Sequence, residues 1–500
     1  MRQLNSLREK YFREIDILFL ITLAWFIFLL LVNHRYGFHQ DELALVDNGR
    51  HLAWGYIEYP PLAPFFAYIA SKFFGPTLFG IRFFAALSVS SVMLLTGLMA
   101  RELGGNRRVQ IVAAFTAITA PIVLFSASLF SYETFNYLWW VLAIYMLLKL
   151  LKFKNPRWWL GIGVVMGLGL MTNYLMLVLA TGIAVGIIAT PNRRYVKSLW
   201  LWGGVALSLV IFLPNLVWQM QHHFIYFRFV SSIHARDIQE GRTAGFLIQQ
   251  FFLNTNIAAI FFWISGLYFY LFSASGQRYR LIGIVYLVSF IILFFAQGRS
   301  YYAAQLYPML IAAGAVLIAN KVSSFLKFIL YSLIVIISIY NIYVVLPMGQ
   351  VNSSWWNLSA SKNSLLRDEI GWPDLVATIA NIRSSLPQKK RDSLGILAAN
   401  YGIAGAVDLY GSAYGLPEAI SGANSYWLRG YPNPPPEPLI VVGFAPADVN
   451  KLFANCTLAG RVSNKYGVMN NEAMLNHNIF VCSKPLKPWP EFWKSIQSFQ

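Results

Sequence analysis

Apolar residues in this 500-residue chain run in long blocks rather than alternating. A helix crossing the hydrocarbon of a bilayer needs about 20 mainly apolar residues, about 17 at the short end. Blocks of that kind recur at 16–32, 79–100, 111–126, 134–151, 158–172, 174–190, 198–213, 257–273, 281–296, 303–319 and 328–346. The pattern predicts eleven spans, the pair around Asn173 being joined by a single turn residue. The first block is too long for a signal peptide and is followed by no small-residue cleavage site. After Pro347 no block is long enough to span. The expected organisation is an α-helical polytopic membrane domain, 1–346, followed by a small water-soluble α/β domain, 347–500. In the latter the pattern predicts helices near 374–386 and 446–455, strands near 393–399, 438–444 and 478–482, and a stiff Pro-rich linker at 432–438.

Composition sharpens this picture. Hydrophobic residues make up 57% and charged residues 12%, where a soluble protein carries about 25% charged. That balance excludes an ordinary soluble enzyme and also a disordered chain. The net charge of +18 would suggest nucleic acid in a soluble protein, but here the basic residues follow topology. With the N-terminus placed inside, eighteen Lys and Arg fall in the inside segments against eight in the outside segments up to Leu346. Basic residues collect on the cytoplasmic side of membrane proteins. The expected arrangement is therefore a cytoplasmic N-terminus, an extracytoplasmic C-terminal domain, and no nucleic-acid partner. Both cysteines, Cys456 and Cys482, lie in the exported domain, where a disulfide and two buried thiols are both compatible with the sequence.

The unusual chemistry lies in the outside loops. The first, NHRYGFHQDELALVDNGRHLAWGYIEYPPLAP, holds Asp41, Glu42, Asp47 and Glu58 with three histidines. Carboxylates just outside a span are costly unless partnered, and adjacent acids tend to separate their pKa values, as acid–base work requires. A solvated loop is the plainer reading. The second loop contributes Glu133. The third brings His222, His223, His234, Arg228, Arg236 and Arg242, and the fourth Arg299, Tyr301, Tyr302 and Tyr307. Six of the seven histidines occupy these loops. Either they line a polar cavity or they help hold a divalent metal, with His222, His223 and Glu58 as candidate ligands; no HxxxH or HExxH spacing supports the second. Arginines suit a phosphate, a carboxylate suits deprotonation of an acceptor, and a site at the lipid surface suits a lipid-linked substrate. Group transfer from a lipid phosphate to an exported acceptor fits this set. The spans hold almost no ionisable groups at mid-membrane, which disfavours a transporter, and no P-loop or Rossmann glycine run points to a nucleotide.

Several stretches carry a family likeness. Asp41-Glu42 followed by Glu58-Tyr59-Pro60-Pro61-Leu62, the segment Ser131–Trp140 with Glu133, Pro214-Asn215-Leu216-Val217-Trp218-Gln219 with His222, and Gly298-Arg299-Ser300-Tyr301-Tyr302 with Tyr307-Pro308 stand in order along the chain. Asn400-Tyr401-Gly402, Ala404-Gly405-Ala406 and LYGSAYGLPEAISGANSYWLRG follow in the tail. From about residue 36 onward the chain resembles the bacterial membrane glycosyltransferases of family 39, which have the GT-C fold and are related to protein O-mannosyltransferases and the lipid A aminoarabinose transferase. The resemblance implies an inverting transferase that uses a polyprenyl-phosphate-sugar donor and an exported protein, lipid or glycan acceptor. It implies Asp41 as catalytic base with Glu42 beside it. Glu58, Glu133, His222, Arg228, Arg299, Tyr301 and Tyr302 would bind substrate, with Arg299 on the lipid phosphate and Arg228 or Arg236 assisting. No cofactor beyond a divalent metal is implied. The chain departs from the family pattern at Tyr59 and Asn173, where lysines are usual, at Ile403 in place of Glu, and at Ala423 in place of His. In the tail, Tyr410, Tyr414, Tyr426 and Trp427 suit either acceptor glycans or ordinary core packing. A flippase of lipid-linked sugars and a non-catalytic assembly protein are the rival readings.

Overall fold

The computed structural model describes residues 2–474 and 476–500, the side chains of residues 2–16 excepted. Among the described residues, six helices are long and apolar enough to cross a membrane, and nine if each sharply bent pair counts once. The eleven expected blocks are all helical, but not eleven straight spans. The block at 111–126 breaks by 74° between Arg107–Ile118 and Pro121–Ser128. Pro121 has no N–H to donate and its ring crowds the preceding turn. The block at 174–190 turns by 109° into Pro191–Lys197, and Ile257–Leu271 lies at 100° to Phe246–Phe252 across the polar Asn254-Thr255-Asn256. The first block ends a 31-residue helix, Arg2–Val32, while Trp158–Leu170 is shorter than a full span. Asn173 does lie in the turn between helices, its side-chain oxygen accepting from the Leu175 N–H at 2.9 Å. Small residues let the bundle close: a Cβ on Gly314 would lie 1.8 Å from the Phe262 carbonyl oxygen, so these two helices approach backbone to backbone.

The tail carries a five-stranded sheet in the order β2-β1-β3-β5-β4, with β1 Gly395–Ala398, β2 Ala419–Ser421, β3 Leu439–Val442, β4 Phe453–Arg461 and β5 Asn478–Pro485. β2, β1 and β3 run parallel, while β5 and β4 pair antiparallel. Three of these strands lie where the pattern predicts them. The expected helix at 446–455 ends at Leu452, because Phe453 onward forms the edge strand β4. There Cys456 stands opposite Cys482 in register and the two form a disulfide.

The membrane part and the tail each have a core of their own, and a third buried cluster joins them. Phe38, Leu43, Val46, Ile81 and Phe135 pack in one buried cluster with Trp372, Ile379, Ile403 and Val407. The loop helix Gln40–Arg50 lies on the tail helix Tyr401–Tyr410, and a Cβ on Gly405 would stand 2.8 Å from the Leu43 backbone. Ile403 is fully buried in this core.

A buried ion cluster crosses the same junction. Arg82, four residues into the helix Leu78–Glu102, makes a forked pair with Glu42 (Nε–Oε1 2.8 Å, Nη2–Oε2 2.7 Å) and lies 3.4 Å from Glu369. It also donates to the carbonyls of Asn33 and Gly37. Burial, with the Glu42 charge adding to it against the opposing Arg82, raises the Glu369 carboxyl to about 8. A carboxyl whose folded pKa is raised stabilises the fold most below its unfolded pKa of about 4.3 and loses that contribution as pH rises through the folded value. Melting temperature in detergent should therefore decline between pH 4.5 and 8. Glu369→Gln should flatten that slope, and an unchanged slope would remove Glu369 as its source.

Candidate active site

The loop helix Gln40–Arg50 begins with a capping box. The His39 side chain accepts from the Asp41 N–H, and Glu42 Oε2 accepts from the His39 N–H at 3.0 Å. This start divides the Asp-Glu pair. Glu42 is fully buried, bonded to Arg82 and to the Phe130 N–H at 2.9 Å. It does not line the cavity described below. Both Glu42 oxygens are thus engaged in bracing contacts, away from the cavity that Asp41 lines. Asp41 points the other way, its side chain 45% exposed. Its Oδ1 accepts from the Tyr401 hydroxyl at 2.8 Å, while Oδ2 lies 3.6 Å from His39 Nδ1. Burial pushes the Tyr401 hydroxyl well above its ordinary range, so it stays protonated and donates.

Asp41 opens on a cavity of about 880 Å³ that also reaches Glu58, Glu133, Arg299, Tyr301 and Tyr302. A second, mainly apolar cavity of about 350 Å³ adjoins it and shares Asp41, Glu133, Arg299 and both tyrosines, its wall continuing along Ile122, Phe125, Leu129 and Leu253. Glu133 lies in the first turn of the helix Tyr132–Phe153, where the helix dipole favours an anion. Glu58 is held by the Ser425 hydroxyl and by Asn48 Nδ2 at 3.4 Å, and burial raises its carboxyl. Arg299 is engaged: Nε and Nη2 donate to the two oxygens of Asp237 at 2.6 and 2.8 Å, and Nη1 donates to the Tyr301 hydroxyl at 3.0 Å. Arg236 and Arg242 also line the larger cavity. Asp368, Asn400, Tyr401 and Glu472 from the tail also line it. Asn173 also reaches this cavity.

Other expected site residues are placed elsewhere. His222 stacks on Trp218, ring centroids 3.9 Å apart, with Nδ1 2.8 Å from the Trp218 carbonyl; it does not line the cavity. Its motif has a bracing role. Asn215 donates to the Trp54 carbonyl at 2.8 Å and accepts from Tyr174 at 2.6 Å, while Gln219 donates to Tyr174 at 3.0 Å. Trp218 fills the space against Gly55 and Ile57, so the motif clamps the stretch that leads to Glu58. Arg228 is exposed, lies over the Phe499 ring at 5.9 Å and does not line the cavity. His222, His223 and Glu58 do not come together, and among the described residues no group of three His, Cys, Asp or Glu side chains is placed to hold a metal ion. In the tail, Tyr426 is buried beneath Arg429 and Trp427 donates to the Trp493 carbonyl. Neither these two nor Tyr410 and Tyr414 reach the cavity.

Tyr401 and Asp237, to which the sequence assigns no individual role, also line the larger cavity. Asp237 carried a signal: an acid flanked by Arg236 and Arg242 in a loop beside a span wants a basic partner.

Residues 58–218 match the family model described as dolichyl-phosphate-mannose-protein mannosyltransferase. The chain is similar to undecaprenyl phosphate-alpha-4-amino-4-deoxy-L-arabinose arabinosyl transferase 1 of Pseudomonas fluorescens strain Pf0-1, at 30% identity over 198 residues, 38% of this chain and 34% of that one. The like-named protein of strain Pf-5 is 26% identical over 222 residues, 41% of this chain and 40% of that one. The matched stretches thus span between a third and two-fifths of these curated relatives. Among solved structures, ArnT from Cupriavidus metallidurans, bound to undecaprenyl phosphate and in the apo state, aligns at a TM-score of 0.62 and 13% identity over 97% of this chain and 99% of its own. That likeness shows a shared fold, from the membrane bundle through the C-terminal sheet.

Proposed function

We propose that this chain, a membrane protein with a mannosyltransferase-like segment and the fold of ArnT, transfers a sugar from a polyprenyl-phosphate carrier to an acceptor. The observation that carries the reading is the pair of adjoining cavities, one polar and one apolar, which share Asp41 and Arg299. The apolar cavity suits the first units of a lipid chain, Arg299 the phosphate, and the polar cavity the sugar and acceptor. The acceptor hydroxyl or amine gives its proton to Asp41 as its lone pair attacks the anomeric carbon. The bond from that carbon to the phosphate oxygen breaks, its electron pair passes to the phosphate, and the anomeric centre inverts. Tyr401, donating to Oδ1, leaves Oδ2 to take the proton. Glu58 and Glu133 border the sugar. The asymmetry of basic residues supports a cytoplasmic N-terminus and an extracytoplasmic active site.

Membranes supplied with labelled polyprenyl-phosphate sugar test the reading. The wild-type chain should release the carrier and label an acceptor. Arg299→Gln should raise the KM for the donor by about 10- to 100-fold, the range expected for losing charge-assisted hydrogen bonds. Flipping of the lipid without any transfer would overturn the proposal in favour of a flippase.

A further inference from the structure

The phosphate contact assigned to Arg299 is already occupied by a protein anion. Asp237, 4% exposed, fills the fork of Arg299 with both oxygens, at 2.6 and 2.8 Å. It comes from the helix Ile225–Gln239 and lines the same cavity as the arginine. A two-oxygen acid in a guanidinium fork has the geometry with which a phosphate would bind there. A second cation stands within reach: Arg242 Nη1 is 3.7 Å from Asp237 Oδ1, and Arg242 is half exposed and shared with Glu240.

We propose that Asp237 is the internal competitor of the lipid phosphate and the residue that drives product release. This rests on the glycosyl-transfer reading above. The donor is a phosphodiester with one negative charge. Transfer breaks the bond between anomeric carbon and phosphate oxygen and leaves a phosphomonoester, whose charge at neutral pH approaches two. Arg299 alone would then hold the product more tightly than the substrate, and turnover would stall on release. Asp237 returning from Arg242 to the Arg299 fork offsets that tightening. It also screens the site against loosely bound anionic lipids, since any occupant must displace a bidentate carboxylate.

Purified full-length protein in detergent and undecaprenyl phosphate as probe test the inference. Asp237→Asn keeps the shape and removes the charge. It should bind the probe about tenfold more tightly, equivalent to about 1.4 kcal/mol, and the ratio of single-turnover to steady-state rate should rise. Arg242→Gln, which strands the displaced acid, should weaken probe binding several-fold, so the two variants move in opposite directions. Unchanged or weaker binding by Asp237→Asn, or an unmoved rate ratio in a folded protein, would overturn the role. Should Asp237→Asn fail to fold, Arg242→Gln decides, and unchanged binding by that variant would overturn the role as well. Arg299→Gln separates this from the broader reading: if wild type binds the probe through Arg299 while the Asp237 variant behaves as wild type, only the competitor role fails. If Arg299→Gln binds as wild type, the phosphate assignment falls and the competitor role with it.

Discussion

Asp41→Asn should abolish sugar transfer while leaving the fold intact. Asparagine has the same size, and its oxygen still accepts from Tyr401, which lies 2.8 Å from the native carboxylate. Only the capacity to take a proton is lost. A positioned general base contributes about 10²- to 10⁴-fold, so kcat should fall by about a thousandfold with little change in donor KM. Asp41 is nearly half exposed and its charge is not part of the buried ion cluster, so the melting temperature should move little. Transfer at the wild-type rate by a folded variant would remove Asp41 from the role and pass it to Glu133, the other carboxylate shared by both cavities.

The largest effect on stability should come from Arg82→Met. Arg82 is fully buried and holds Glu42, Glu369 and the carbonyls of Asn33 and Gly37 together. Removing one member of a buried ion pair costs about 3–5 kcal/mol, because the charge of Glu42 stays buried without compensation. The variant should melt at a markedly lower temperature in detergent and accumulate poorly in membranes. The double variant Arg82→Met/Glu42→Gln should recover part of the loss, since one stranded charge goes with the other. If the double variant is worse than the single one, Glu42 has a role beyond pairing with Arg82.

These two residues illustrate how much the sequence discloses. The membrane blocks are legible because a helix in hydrocarbon must be apolar along its whole length, and each block is helical in the structure. Their bends are less legible: Pro121 announces a break, whereas the 100° turn before Ile257 depends on how three polar residues pack. Asp41 and Arg299 stand out as costly charges beside spans. Their partners do not, because they are distant in sequence. Glu42 and Arg82 are 40 residues apart, Arg299 and Asp237 62, and Asp41 and Tyr401 360. The division of Asp41 from Glu42 was invisible in the run of letters. It follows from a capping box that turns one acid back on the helix start and leaves the next-door acid facing the cavity. The tail helix beside them is hard to read because Gly402 and Gly405 near its start are poor helix formers, yet Gly405 is what allows close approach to Leu43.

The bond between Tyr401 and Asp41 also bears on biogenesis. A ribosome that has finished the acidic loop must add 360 more residues before the hydroxyl that orients its carboxylate exists. Until then the nascent chain has neither the tail wall of the larger cavity nor the core that seats the loop helix. Assembly of this cavity therefore awaits synthesis of the last third of the polypeptide, whose helix Tyr401–Tyr410 packs against the loop helix.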